Sequence, residues 1–221
     1  MTSIYLSLRP KSNRLYKIKE IYYTLQGEGF HSGRPAVFVR FSGCNLWSGR
    51  EEDRADAICD FCDTDFRGTD GPLGGSYSAV DLAKTIQNLW PGGIRPFIVC
   101  TGGEPLLQLD QPLVQTLKQA DIEIAIETNG TITAPDGIDW ICVSPKAGSE
   151  VVQRTGSELK LVYPQAFIQP EEVADWDFTH YYLQPMQNAQ WENNTKATVD
   201  YCKAHPQWRL SLQSHKYINI P

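Results

Sequence analysis

The chain lacks what a membrane or nucleic-acid protein needs. No run among its 221 residues approaches the roughly 20 consecutive apolar residues that span a bilayer. Positive charge is in deficit: 20 Lys and Arg stand against 26 Asp and Glu, a net charge of −6. That balance leaves no broad basic footprint for nucleic acid or an anionic membrane. Residues 1–8 contain neither the basic start nor the apolar stretch of a secretory signal, so the expectation is a cytoplasmic protein. Internal repeats and low-complexity linkers are missing. A chain of 221 residues with 41% hydrophobic composition then reads as a single domain, 1–221, with a sizeable core. Tryptophans are present, Trp47, Trp176, Trp191 and Trp208 among them, but without basic interleaving they read as packing rather than base stacking.

What is present in quantity is cysteine: six in all. In a reducing cytosol clustered cysteines more often hold a metal or do catalysis than form disulfides. Cys100 and Cys142 sit in apolar runs and read as small buried residues, and Cys202 is isolated. Cys44, Cys59 and Cys62 form a cluster with spacing C-x14-C-x2-C. Three thiolates can hold three irons of a 4Fe–4S cluster and leave the fourth iron open to a ligand. A zinc site is the alternative. Zinc takes four protein ligands when structural and three when catalytic. The chain offers no second Cys-x-x-Cys and no His-x3-His pair.

Short apolar runs at 18–24, 36–42, 97–100, 122–127, 140–144, 159–163, 181–184 and 208–213 read as strands. Ser78, with Asp81 three residues on, opens a helix that Pro91-Gly92-Gly93 ends; further helices are expected at about 110–119 and 193–204. Residues 45–58 are polar without apolar period and read as a long loop, and 68–75 as a Gly-rich surface loop. Strands alternating with helices predict a parallel sheet of βα units. The length is too short for eight units, and some later crossovers lack a helix. The expected fold is therefore α/β, an incomplete parallel (βα) barrel.

Ligand sites of such folds gather at the carboxyl ends of the strands. Arg40, Thr101, Glu104, Glu127, Ser144, Lys146 and Gln184 all fall at such ends. Gly102-Gly103 permits close approach to the main chain, and Glu104 offers an acceptor for a cationic group. Arg40 interrupts an apolar run and needs a partner if buried.

Phe41-Ser42-Gly43-Cys44-Asn45-Leu46 with Cys59-Asp60-Phe61-Cys62-Asp63-Thr64, followed by Thr101-Gly102-Gly103-Glu104-Pro105, resembles the radical S-adenosylmethionine superfamily. The expanded C-x14-C-x2-C loop resembles one subgroup within it, the 7-carboxy-7-deazaguanine synthases of the queuosine pathway. Tyr23-Thr24-Leu25-Gln26-Gly27-Glu28-Gly29, Glu127-Thr128-Asn129-Gly130, Val143-Ser144-Pro145-Lys146 and His215-Lys216-Tyr217-Ile218-Asn219-Ile220-Pro221 extend the resemblance to nearly the whole chain.

The resemblance implies a reduced radical-enzyme core. Its cluster-binding loop is extended, at about 44–62, and a C-terminal tail closes the substrate site. Cys44, Cys59 and Cys62 would hold a 4Fe–4S cluster. Gly102, Gly103, Glu104, Glu127, Ser144, Lys146 and Gln184 would bind S-adenosylmethionine. Leu25, Gln26, Glu28, Arg40, Thr101, His215 and the carboxylate of Pro221 would bind a pterin substrate. Thr64 would help to bind Mg²⁺, with Asp63 a weaker candidate behind it. The implied reaction turns 6-carboxy-5,6,7,8-tetrahydropterin into 7-carboxy-7-deazaguanine with loss of ammonia. The reduced cluster cleaves the cofactor to a 5′-deoxyadenosyl radical, which takes and later returns one hydrogen. A flavodoxin- or ferredoxin-like electron donor and a homodimer are also implied. The apolar end of the chain suggests a tail packed inward. Three rivals stand: a radical activase acting on a partner protein, another small-molecule radical enzyme, and a zinc-binding module without activity.

Overall fold

The computed structural model describes residues 14–221; the segment 1–8 considered above lies outside the described residues. Among the described residues nine strands form one sheet: β1 (Tyr16–Leu25), β2 (Pro35–Phe41), β3 (Gly75–Tyr77), β4 (Phe97–Gly102), β5 (Glu123–Thr128), β6 (Trp140–Val143), β7 (Thr155–Tyr163), β8 (Asp177–Pro185) and β9 (Trp208–Leu210). Their order is β3-β1-β2-β4-β5-β6-β7-β8-β9. Every neighbouring pair from β2 to β9 is parallel, and β1 runs antiparallel to both β2 and β3. Strands β3 and β9 are the edges, so the curved sheet is an incomplete barrel, as expected.

Alternation along the strands decides where the site lies. Successive side chains point to opposite faces. On β2 and β4, Val37, Val39, Phe41, Ile98 and Cys100 join the large core beneath the helices α1 (Ala79–Leu89) and α2 (Gln111–Gln119). The opposite, concave face carries Ala36, Phe97, Val99 and Ala125, a small apolar plug at the amino ends of the strands. Continuing along that face, the strands reach Arg40, Thr101 and Glu127, which line a pocket. The concave face is thus dry at one end and polar at the carboxyl end.

Both helices have the signals the sequence gives them. Ser78 accepts from the backbone N–H of Asp81, and Asp110 accepts from that of Leu113. Helix α3 (Pro170–Val173) is a single turn between β7 and β8. Helix α4 (Trp191–Ala204) covers β8 and β9. The chain passes from β5 to β6 and from β6 to β7 with no helix between them.

Four local readings change. The stretch 45–58 is not plain loop. It carries a 3-10 turn, Glu51–Asp56, and a buried Leu46-Trp47 anchor. Arg54 lies over the Trp47 ring at 4.1 Å and donates to the carbonyls of Asp60 and Cys62 at 2.7 and 3.1 Å. The Gly-rich segment ends in a strand, β3, because Gly74 lets the chain press against the Lys19 carbonyl. The expected strand at 208–213 stops at Leu210. The tail then forms a short helix, α5 (Ser214–Ile218), and is not packed inward as expected. Tyr217 and Ile218 are exposed, and polar groups hold the tail instead.

Candidate active site

One pocket of about 610 Å³ opens at the carboxyl ends of the strands, within the usual range for small-molecule sites. Cys44, Cys59 and Cys62 line it together with Gly102, Gly103, Glu127, Ser144, Lys146 and Gln184. Leu25, Gln26, Glu28, Arg40, Thr64, Thr101, His215 and Pro221 line it too. Arg40, Thr101, Glu127, Ser144 and Gln184 meet here because parallel strands end on the same side, while Leu25, Gln26 and Glu28 come from the end of the antiparallel β1 and His215 and Pro221 from the C-terminal tail.

The one candidate outside the lining is Glu104. It is fully buried beneath the pocket, and its carboxylate already takes three donors. These are the N–H of Leu106 at 2.9 Å, the hydroxyl of Thr128 at 2.8 Å and the N–H of Asn129 at 2.7 Å. Its own N–H donates to the Gly43 carbonyl at 2.9 Å. Glu104 therefore braces the 102–105 turn against β5 and the cysteine loop, which corrects the expectation of an open acceptor for an ammonium group. Burial pushes its carboxyl upward from the ordinary range.

The two glycines have a sharper role than access for a ligand. A Cβ on Gly103 would sit 2.3 Å from the Gly43 carbonyl oxygen and 2.6 Å from the Cβ of Cys44. Gly102 has φ +143°, and a Cβ there would meet the Phe41 carbonyl at 2.2 Å. The pair lets the turn after β4 press against the backbone that presents Cys44. Asn129 and Asn45 add a side-chain bond at 3.0 Å between the end of β5 and the same loop.

The donor set fits an iron–sulfur cluster. The Cys62 thiol is drawn down to about 6 chiefly by its hydrogen bond with Cys59, whose own thiol is pushed up in return, and burial pushes the Cys44 thiol up. Thiolate is the ligating form. Among the described residues no three His, Cys, Asp or Glu side chains converge on a single-ion site. A cluster instead spreads its three cysteines over three separate irons. Cys100 is a small residue of the outer core, and Cys142 is buried beneath the pocket beside Glu127, Glu158 and Lys160.

The wall formed by β1 and β2 follows from their register, Glu20 opposite Arg40 and Tyr22 opposite Phe38. Arg40 Nε donates to Glu20 Oε1 at 2.7 Å and Nη2 to the Tyr22 hydroxyl at 2.9 Å. The Tyr22 and Phe38 rings stack with centroids 5.6 Å apart. Arg40 thus has the partners its burial demands. Ser144 and Lys146 form a pair on the far side, with Nζ 2.7 Å from the serine hydroxyl.

Sequence reading passed over Lys160, although it interrupts the apolar run 159–163 just as Arg40 interrupts 36–41. Its ammonium bonds closely to Glu28 and lies 3.3 Å from Glu127 Oε2. Gln213 donates to Glu28 at 2.9 Å, and Gln26 donates to Glu127 at 2.9 Å. The tail is fastened above. Lys216 reaches Asp63 at 2.7 Å, Ser214 bonds Gly27, and Thr24 donates to the Pro221 oxygen at 2.9 Å.

A parallel partial barrel with three pocket-lining cysteines defines a radical S-adenosylmethionine protein. The Radical SAM superfamily signature matches residues 54–156. It begins past Cys44, whose distance from Cys59 is what sets this loop apart. A 7-carboxy-7-deazaguanine synthase from Burkholderia multivorans is 59% identical over 93% of this chain and 99% of its own length. One from Caulobacter vibrioides is 58% identical over the same shares. A crystal structure of QueE from Escherichia coli matches with TM-score 0.66 at 27% identity, covering 91% of this chain and 95% of that one. The chain belongs to the 7-carboxy-7-deazaguanine synthase family.

Proposed function

We propose that this chain converts 6-carboxy-5,6,7,8-tetrahydropterin to 7-carboxy-7-deazaguanine with release of ammonia. The observation that carries the reading is the shared pocket: the three cysteines and all but one of the candidate ligand residues line a single cavity. When bound, the cluster and S-adenosylmethionine supply the radical that starts the ring contraction; the protein supplies placement and shelter.

In this reading Cys44, Cys59 and Cys62 hold the cluster. The main chain at Gly102 and Gly103, with Glu127, Ser144, Lys146 and Gln184, holds the cofactor. Arg40 spends two of its N–H groups on Glu20 and Tyr22. Three remain for a substrate carboxylate. The stacked Tyr22–Phe38 pair offers a flat apolar wall to a bicyclic ring. Glu28 and the groups around it face the donor edge of that ring. Thr64 would give Mg²⁺ a hydroxyl oxygen, with water and the substrate carboxylate completing its shell. The tail residues His215 and Pro221 exclude water from above.

The radical activase reading loses support because the site is a cavity of small-molecule size. A homodimer, a cytoplasmic location and a flavodoxin- or ferredoxin-like donor complete the proposal. No helix among the described residues is long and apolar enough to cross a membrane. Ammonia release tests the reading directly. Reconstituted, reduced protein given S-adenosylmethionine, Mg²⁺ and the carboxytetrahydropterin is expected to release one ammonia per substrate consumed. Consumption without ammonia would overturn it.

A further inference from the structure

The concave face of β7 carries two buried charged residues, Glu158 and Lys160, on either side of Leu159, which faces the outer core. Both act on the 26–30 turn. Glu158 grips its backbone, accepting from the Phe30 N–H at 3.2 Å. Gly29 is pressed so close to that carboxylate that a Cβ would lie 1.9 Å from Oε1. Lys160 grips its side chain. The ammonium, with a side chain only 4% exposed, bonds Glu28 Oε2 and reaches Glu127 Oε2 at 3.3 Å. It cannot turn to water, and its close ion-pair partners are these two carboxyl groups.

We propose that Lys160 is a specificity-determining positioning residue, clamping Glu28 as an acceptor-only carboxylate that selects the 2-amino donor edge of a pterin and rejects a 2-oxo ring. The inference rests on the pterin reading of the pocket. Each Glu28 oxygen has one protein donor, Lys160 on Oε2 and Gln213 on Oε1. Each keeps a lone pair for a ligand. The 2-amino group and N3–H of a pterin are two adjacent donors, matched to two carboxylate oxygens. A lumazine ring carries an oxygen in place of the amino group and would set lone pair against lone pair. Burial by itself raises the Glu28 carboxyl, but Lys160, together with Gln213 and His215, brings the group down to about 2. The other titratable groups facing this pair are Glu127 on β5, Glu158 on β7, Cys142 on β6 and His215 on α5.

The test is anaerobic fluorescence titration of the reconstituted full-length protein, with S-adenosylmethionine, using 6-carboxypterin and 6-carboxylumazine. Both are aromatic at the carboxylated carbon and have no hydrogen there to lose, so the titration reads binding alone. The native protein should prefer the pterin by at least about 100-fold, because sites built around a donor reject analogues lacking it. Lys160→Arg should keep most of that preference. Lys160→Met should reduce it below about tenfold. Without its cation, a buried carboxyl titrates several units higher. Pterin affinity of Lys160→Met should then rise with pH between about 5 and 7, where the native protein is flat. Lys160→Met with Glu28→Gln removes both charges, which protects the fold. It should lose the preference too, because an amide both donates and accepts.

An unchanged pterin-to-lumazine ratio in either methionine variant, including equal loss of both affinities, would overturn the assignment and leave Lys160 a structural residue. A native protein that binds no 6-carboxypterin would instead overturn the pterin reading beneath it.

Discussion

Lys216 Nζ lies 2.7 Å from Asp63 Oδ2, joining the C-terminal helix to the residue directly after the third cysteine. The roof of the pocket is thereby tied to the cluster-binding loop. The pair is half-exposed, so its effect on global stability is small, on the order of 0–1 kcal/mol. Its effect on closure is the larger one. Lys216→Ala is expected to leave Tm nearly unchanged, to speed hydrogen exchange at 213–221 and to raise the KM for the pterin several-fold. Lys216→Arg should restore it. Unchanged exchange in the alanine variant would separate the tail from this contact.

Gly103→Ala tests the close approach of the β4 turn to the cysteine loop. The added carbon meets backbone, 2.3 Å from the Gly43 oxygen, and cannot be relieved by a side-chain rotation. Overpacking of this kind costs about 1–3 kcal/mol. Cys44 should be displaced, and iron retained after reconstitution should fall, as it should more completely in Cys59→Ala. Full iron content in Gly103→Ala would show that the loop has room.

Glu104→Gln separates bracing from ligand contact. The amide nitrogen cannot accept, so one of the three buried donors loses its partner, at about 1–3 kcal/mol. Thermal stability should fall while the S-adenosylmethionine dissociation constant changes by less than about tenfold. A large affinity loss at unchanged Tm would return Glu104 to the ligand shell.

The Glu28–Lys160 pair sets a pH dependence. The Glu28 carboxyl is lowered on folding to about 2, so its contribution is present above the ordinary carboxylate range and lost as pH falls toward about 2. Lys160 is raised well above its ordinary value, so its contribution is kept below that value and lost only in strong alkali. Glu28→Gln is therefore expected to unfold at a lower temperature than the native protein near neutrality. The gap should close between about pH 4.5 and 2. A gap that stays constant would mean that Glu28 is not held by charge.

Much of this was legible in the sequence because strand ends repeat one pattern: an apolar run followed by a polar residue. Arg40, Glu127, Ser144 and Gln184 could be placed that way, since parallel strands deliver their ends to one side. The cysteine spacing named the chemistry. Lys160 was missed because it lies before the end of β7, within an apolar run whose burial hides its charge. Glu104 was misplaced because sequence shows an acceptor but not the three donors that fold around it. The turn in the 45–58 loop depends on Arg54 stacking over Trp47, a contact no periodicity reports. The tail was read as apolar anchoring, whereas Asp63 and Thr24, far away in sequence, hold it by polar bonds.

The central claim is tested most directly by mass spectrometry of an anaerobic reaction with S-adenosylmethionine limiting and the carboxytetrahydropterin in excess. The account predicts a product lighter than the substrate by one ammonia, formed in molar excess over the cofactor because the abstracted hydrogen is returned. Accumulation of 5′-deoxyadenosine and methionine with no pterin-derived product would contradict it.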